Sequence, residues 1–422
     1  MRIAIVGAGI VGVALAAKLS ALNHVSVQLF EAAPEFSEIG AGISFGPNAL
    51  KALEQLGYLD DYLAVADSVP APYQDIYFQW RNGYTGEYLS ETTWQGVGQS
   101  SIHRADFLDA LIEHVNQDDV YFNKKLTQIL ENQDHIQLSF QDGTEFECDY
   151  LIGADGIHSL IRQYVLKAQD LAPSLPRFSG TWAYRGIIAY SDYKDALVKQ
   201  GLSVDFADIP QMFLAKNKHV LTYPLRKGQL INIVAFMSNP EQRVLPEGQP
   251  WVVQKTSENL LDDFAEFTPE CTTLLSLIQN PSIWALHAID PIDTYLSPSK
   301  RVIVIGDAAH AMVPHQGAGA GAGLEDAVIL YQLFKDERID VKDLGEISSI
   351  YEDIRKPRSQ RNQLTAFESG LVYELNHPDY PVIDQDLAQH LTHRFDWIWG
   401  HDLREDLNSI EQRLKQVFTM TA

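Results

Sequence analysis

Cysteine is almost missing from this chain, with only Cys148 and Cys271 in 422 residues. There is no CxxC pair and no His/Cys cluster at zinc spacing, so neither a disulfide framework nor a structural metal is expected. Positive charge is also scarce. Lys and Arg number 32 against 56 Asp and Glu, a formal net charge of -24, and a field of that sign repels both nucleic acid and anionic membranes. An anionic substrate would therefore need a locally positive site. No apolar run approaches the roughly 20 residues that span a bilayer. The N-terminus enters a β-branched run rather than a signal peptide, so a cytoplasmic location is expected. Repeats and low-complexity stretches are lacking too. The length argues for two domains, or one domain with a large insertion.

What the chain does contain is glycine at telling positions. Arg2-Ile3-Ala4-Ile5-Val6 reads as a strand running into Gly7-Ala8-Gly9-Ile10-Val11-Gly12 and then an apolar helix. Gly7 allows a sharp turn, Gly9 lets the backbone approach a pyrophosphate, and Gly12 lets the helix pack on the strand, leaving bare N–H groups for phosphate oxygens. Glu31, after a second strand, is placed to bond an adenosine ribose. Glycine-rich turns also form for steric reasons alone, but the strand, helix and acid at these distances favour a dinucleotide site, either flavin or nicotinamide. A second such stretch runs from Arg301 to Asp326. A buried strand ends at Gly306-Asp307, and Gly317, Gly319, Gly321 and Gly323 then open a helix that ends its glycine run at Glu325, so several N–H groups converge. Arg104 falls in the first turn of a helix. A cation is misplaced there unless an anion lies near, which leaves it either a surface residue or a phosphate partner.

Between these stretches the pattern turns to β. Aromatics and turn formers fill Val69 to Trp94, with a hairpin signal at Arg81-Asn82-Gly83, and alternation from Tyr121 to Tyr150 predicts a meander. Strands recur from Pro176 to Phe236, Trp251 to Leu277 reads as helix, and the remainder is helical and polar with no readable chemistry. The predicted fold is α/β: a Rossmann-like nucleotide domain (1–72, 98–175, 284–335), an inserted β-sheet domain (73–97, 176–283) and a C-terminal helical region (336–422).

These stretches together resemble the class A FAD-dependent aromatic hydroxylases, the single-component flavoprotein monooxygenases. Gly7, Gly9, Gly12 and Glu31 match that family's nucleotide fingerprint, and Asp155-Gly156 with Ser159 and Arg162 matches its Asp-Gly motif. Gly306-Asp307 matches its Gly-Asp motif, and Pro314 with the glycines after it matches the loop lying against the isoalloxazine. One departure is Gly321, where many members carry Asn. Segments such as Pro176-Arg177-Phe178-Ser179-Gly180-Thr181 and Arg394-Phe395-Asp396-Trp397 look most like the bacterial salicylate 1-hydroxylase subgroup. Hydroxybenzoate and 6-hydroxynicotinate hydroxylases share most of them.

The resemblance implies non-covalent FAD held by Gly7 to Gly12, Glu31, Arg104, Asp155, Asp307, Pro314, Gly317, Gly319 and Ala320. NADH would be a transient co-substrate, a small aromatic acid and O2 the other reactants, and the protein a monomer or homodimer. It implies hydroxylation by a flavin hydroperoxide, with salicylate giving catechol and carbon dioxide. A nicotinamide dehydrogenase and a non-catalytic flavin-binding protein are the rivals. Such a reaction needs apolar walls, for which Met212, Phe213, Leu214, Tyr223 and Phe236 are candidates beside Pro314 and His315. It also needs a group for the phenolic proton. His315, in the flavin loop, and His219, in the inserted sheet, are the candidates, with His310 expected only to cap structure. Arg185, Arg226 and Arg243 are open alternatives for the substrate carboxylate.

Overall fold

A computed structural model describes residues 1–36, 42–69, 72–94 and 97–420. Ile39 to Ala41, the start of a further glycine-rich loop, lie outside the described residues; Gly42–Phe45 is a strand and Pro47–Leu56 a helix. The β-branched and apolar runs found near Ile5, Leu29, Leu151 and Ile303 become strands of one parallel five-stranded sheet. Its order is Val302–Val304, Tyr150–Gly153, Arg2–Val6, Ser26–Phe30, Val120–Tyr121. Such strands are buried on both faces, which is why they read as continuous apolar runs. The three neighbouring strands 302–304, 150–153 and 2–6 end at Gly306-Asp307, Ala154-Asp155-Gly156 and Gly7 to Gly12. All the glycine-marked turns thus meet at one carboxyl edge, where open α/β sheets bind ligands.

The aromatic and alternating segments form an eight-stranded, mainly antiparallel sheet. Its order is Val252–Gln254, Ser282–Ala288, Arg177–Ala189, Leu230–Ser238, Lys218–Leu225, Gln211–Ala215, Ile76–Asn82, Tyr88–Thr93. The last strand of its second block, Ser282–Ala288, extends past residue 283, where the sequence reading ended that block. The expected single helix from Trp251 to Leu277 is instead the strand Val252–Gln254 and two helices, Ser257–Asp263 and Pro269–Ser276. Thr256 and Thr268 each accept an N–H bond as an N-cap and so start a new helix inside the stretch.

The C-terminal region from 336 on is helical, led by the 30-residue helix Leu344–Tyr373. Its buried positions include Arg355, Ser359, Asn362, Gln363, Ala366, Gly370 and Tyr373. Leu344, Ile347, Ile350 and Tyr351 make an apolar stripe at its start, but the buried positions from Arg355 to Gln363 are polar, so the stripe does not run through its middle. Among the described residues, no helix is long and apolar enough to cross a membrane, and no group of His, Cys, Asp and Glu could hold a metal. Both cysteines are buried and free.

Candidate active site

At the carboxyl edge of the parallel sheet lies a cleft of about 440 Å³, within the range of small-molecule sites. Gly9 to Gly12 form one wall; Arg104, Ala154 and Gly156 stand beside them, and Asp307, Pro314, Gly317, Gly319 and Ala320 close the other side. The glycines are there for space. Gly7 has φ +108°, and a Cβ on it would lie 2.2 Å from the Ala154 carbonyl oxygen; one on Gly12 would lie 2.0 Å from the Gly7 carbonyl oxygen. The helix Ile10–Ser20 starts at Gly9 with no side-chain cap and no acid in its first turn, and the helix Gly319–Phe334 starts the same way. Their first N–H groups and dipole ends therefore face the cleft without internal anions, the arrangement that suits a diphosphate. Asp307 is exposed into the cleft. These residues fit FAD on donor set and clearance alike.

Two expected cofactor residues stand behind the cleft lining. The Glu31 carboxylate accepts the Ala8 N–H at 2.7 Å and the Ala33 N–H at 2.8 Å, bracing the glycine turn. Asp155 accepts the Ser159 hydroxyl at 2.5 Å and the Leu160 and Ile161 N–H groups at 2.8 and 3.2 Å. Its carboxylate caps the helix Leu160–Lys167, while its neighbours Ala154 and Gly156 face the cleft. Buried Arg162 ties the same turn to the Gly-Asp loop, donating to the carbonyls of Ile157, Ser174 and Ala308.

The acids that close the second glycine run point away from the cleft. Asp326 accepts the Gly306 N–H at 2.9 Å and is bonded to His310 Nε2 at 2.7 Å and to Arg355 Nε at 2.8 Å. Glu325 takes Asn48, Arg355 and both donors of the Arg358 fork at 2.7 to 2.9 Å. Burial would raise the Glu325 carboxyl, but Arg355 and Arg358 hold it at about 2. This ion cluster fixes the Gly306-Asp307 turn from behind, and His310 belongs to it as a structural residue. Gly321 packs against the helix Pro47–Leu56, where a Cβ would meet Ala49 at 3.0 Å and the Asn48 amide at 3.2 Å; that crowding accounts for glycine at this position.

At the Pro314 end of the cleft the β-sheet contributes a buried aromatic cluster. His219 stacks on Phe236 with ring centroids 4.1 Å apart and planes 10° apart, and His315 lies 5.2 Å from His219 and 5.1 Å from Phe236. Phe236 shares its core cluster with Leu286, which lines the cleft. Burial lowers both histidines to about 3, so they stand neutral, because an apolar surrounding disfavours the charged form. His219 Nε2 and His315 Nδ1 are buried without a hydrogen-bond partner among the described residues. His315 owes its place to Gly370 of the long helix, where a Cβ would come within 2.8 Å of the imidazole.

Of the proposed apolar wall, Phe236 is therefore in contact with both histidines, and Tyr223 stands behind the cleft, donating to the Gly42 carbonyl at 2.9 Å. Met212, Phe213 and Leu214 are core instead. Met212 and Leu214 pack with Trp80 and Tyr373, and Phe213 packs on the opposite sheet face with Tyr184 and Phe264. Alternation along a central strand sends neighbours to opposite faces, so three consecutive residues could not all face one cavity. Among the three arginines, Arg185 lines the cleft with its Nε buried and without a hydrogen-bond partner among the described residues. Arg226 is exposed in a turn, and Arg243 lines a separate cavity of about 790 Å³. That cavity shares His287, Met312 and Val313 with the cleft. Sequence reasoning missed Glu374, Arg355 and Arg358, all far along the chain from any glycine motif.

The family model described as "FAD binding domain" matches residues 1–170 and 282–361, the segments that build the parallel sheet and its cleft. The chain belongs to the FAD-binding monooxygenase family, as a flavoprotein of the salicylate hydroxylase type. It is 47% identical to a salicylate hydroxylase of Pseudomonas putida over 98% of this chain and 95% of that one. It is 32% identical to a 6-methylsalicylate 1-monooxygenase of Aspergillus terreus over 96% and 90%. A solved salicylate hydroxylase substrate complex superposes with a TM-score of 0.91 at 41% identity, covering 97% of this chain and 98% of that one.

Proposed function

We propose that the protein converts salicylate, NADH, O2 and two protons into catechol, carbon dioxide, NAD and water, acting as a cytoplasmic monomer or homodimer. The observation that carries this reading is the pair of buried, neutral histidines against Phe236, His219 stacked on it and His315 tilted to it, next to Pro314 of the FAD cleft. Bound FAD supplies electron transfer from the nicotinamide and activation of oxygen. Gly9 to Gly12 and the Gly319 helix start would hold its phosphates and ring edge, Arg104 would add charge, and Asp307 would bond the ribitol. Glu31 would meet the ribose with its remaining lone pairs, and Asp155 would act through the turn it caps. The nucleotide unit comprises 1–72, 98–175 and 289–335, its third segment starting after the sheet strand Ser282–Ala288. The inserted sheet comprises 73–97 and 176–288, and 336–422 forms the helical region.

The protein's own tasks are three. Arg185 offers a cation for the carboxylate in a strongly acidic molecule. Phe236, Leu286 and Pro314 keep water from the reacting carbon. His315 or His219 accepts the phenolic proton at its free ring nitrogen, so that the phenolate directs electron density to the ring carbon bearing the carboxylate. The test is oxygen uptake with NADH and carboxyl-labelled salicylate by FAD-loaded protein. Equimolar catechol and labelled carbon dioxide are expected. Gentisate or a dihydroxypyridine as the sole product from the respective acids would move the assignment to another substrate, and NADH oxidation that is equally fast under nitrogen would make the protein a dehydrogenase.

A further inference from the structure

A buried acid stands behind the two histidines and has no role so far. Glu374 is 2% exposed and follows the last turn of the long helix. Its Oε1 lies 3.1 Å from His219 Nδ1. The other groups facing it are His315, the Ser238 hydroxyl, Tyr373 beside it in the chain and, beyond His315, Arg394; Lys216 is held nearby on the Leu375 carbonyl. No Lys or Arg pairs with this carboxylate among the described residues, unlike Glu325 with its two arginines. Beyond Glu374 the hydroxyls continue. Ser238 Oγ lies 2.7 Å from Thr181 Oγ1, and the Thr181 N–H donates to Ser179 Oγ at 3.2 Å. Glu374, His315, Ser238, Thr181, Ser179 and Phe367 line a crevice of about 10 Å³, room for about one water. Ser179 and Phe367 also line the 790 Å³ cavity, so the crevice leads there.

We propose that Glu374, Ser238 and Thr181 form a proton exit from the substrate site, in which Glu374 takes the substrate's phenolic proton from the histidines and passes it to the outer cavity. The inference rests on the phenolic substrate proposed above. The substrate O–H breaks as an N–H forms on the free nitrogen of the histidine. The proton on His219 Nδ1 moves to Glu374 Oε1, leaving the imidazole neutral and the carboxyl uncharged. The carboxyl then gives its proton to Ser238, whose own proton passes to Thr181 or to water in the crevice. The phenolate stays in the site and one proton reaches solvent. Without this route a neutral histidine deep in apolar surroundings would have to stay charged through the reaction, which burial strongly disfavours. Glu374 never touches substrate and is a positioning and relay residue. Burial raises its carboxyl to about 7, against the pull of His315 and Ser238, so it can both accept and release a proton near neutrality.

The test compares wild type, Glu374→Gln, Ser238→Ala and Thr181→Val, all loaded with FAD. Infrared difference spectra across pH 5 to 9 follow the carboxyl stretch with no substrate present. Rapid-mixing experiments follow catechol against hydrogen peroxide. The expected result is a carboxyl band in wild type that titrates near neutral pH and is lost in E374Q. In wild type the rate of catechol formation falls as pH drops through that transition. In E374Q the transition disappears and the rate falls by about tenfold or more, with FAD still bound; S238A and T181V show smaller losses. A wild type with no buried carboxyl titration, or an E374Q or S238A/T181V set with unchanged rate and pH profile, overturns the relay. If wild type leaves salicylate untouched, the substrate assignment fails instead, and the band's presence and its shift in S238A alone decide whether the relay stands.

Discussion

The first twelve residues and the long helix Leu344–Tyr373 both shape the cleft, and they do so by opposite means. The N-terminal turn contributes backbone: glycines that remove side chains where Ala154, Gly7 and the cofactor must approach. The long helix contributes side chains at a distance. Arg355 grips the acids behind the Gly-Asp turn, Gln363 donates to the carbonyls of Ile289 and Ala311, Gly370 seats His315, and Glu374 at its end meets His219. One region makes room at the cofactor cleft, and the other holds the loop and the two histidines proposed to meet the substrate. Damage to the two should therefore separate into loss of cofactor and loss of chemistry.

The largest effect is expected from Arg355→Met. It strips a fully buried cation from Glu325 and Asp326, leaving charge only partly compensated by Arg358 and His310. Removing one partner of such a cluster costs about 3–5 kcal/mol, which urea unfolding would read as a lower midpoint. Gly7→Ala follows. Its φ of +108° and the 2.2 Å approach to Ala154 force the turn open, at a cost of about 1–3 kcal/mol, and flavin fluorescence titration should show FAD affinity down at least tenfold with the fold intact.

Gly370→Ala sharpens the contrast from the other side. Its methyl displaces the His315 ring while touching nothing in the nucleotide wall, so catechol formation should fall about tenfold to a hundredfold with FAD affinity unchanged. The last effect is one of pH on stability. Glu374 is raised from 4.5 to about 7, so the native state holds its proton where the unfolded chain has lost it. That contribution is complete below about pH 4.5 and is lost as pH rises through about 7. Glu374→Gln should thus gain on wild type by on the order of 1–3 kcal/mol between pH 5 and pH 8, in paired melts.

The same contrast explains what could be read in advance. Gly7, Gly12 and Gly306 were legible because local geometry demands glycine there, next to strands whose apolar runs are themselves plain. The place of His315 beside the cleft follows from its neighbour Pro314, which lines it. The middle of the helix Leu344–Tyr373 was not legible, since its buried residues from Arg355 to Gln363 are Arg, Ser, Asn and Gln, which as sequence look like solvent-exposed helix. Glu374 meets His219 across 155 positions, and no local pattern encodes that pairing. Met212, Phe213 and Leu214 misled for a related reason: apolar character marks burial, and only register tells which of two faces each residue serves.

The most direct measurement is to determine FAD affinity and catechol yield together in His315→Ala. FAD affinity within about twofold of wild type is expected, with catechol down by about a hundredfold or more and NADH oxidation diverted to hydrogen peroxide. A variant that keeps normal catechol yield and pH profile, or one that loses catechol only because it has lost FAD, would contradict this expectation.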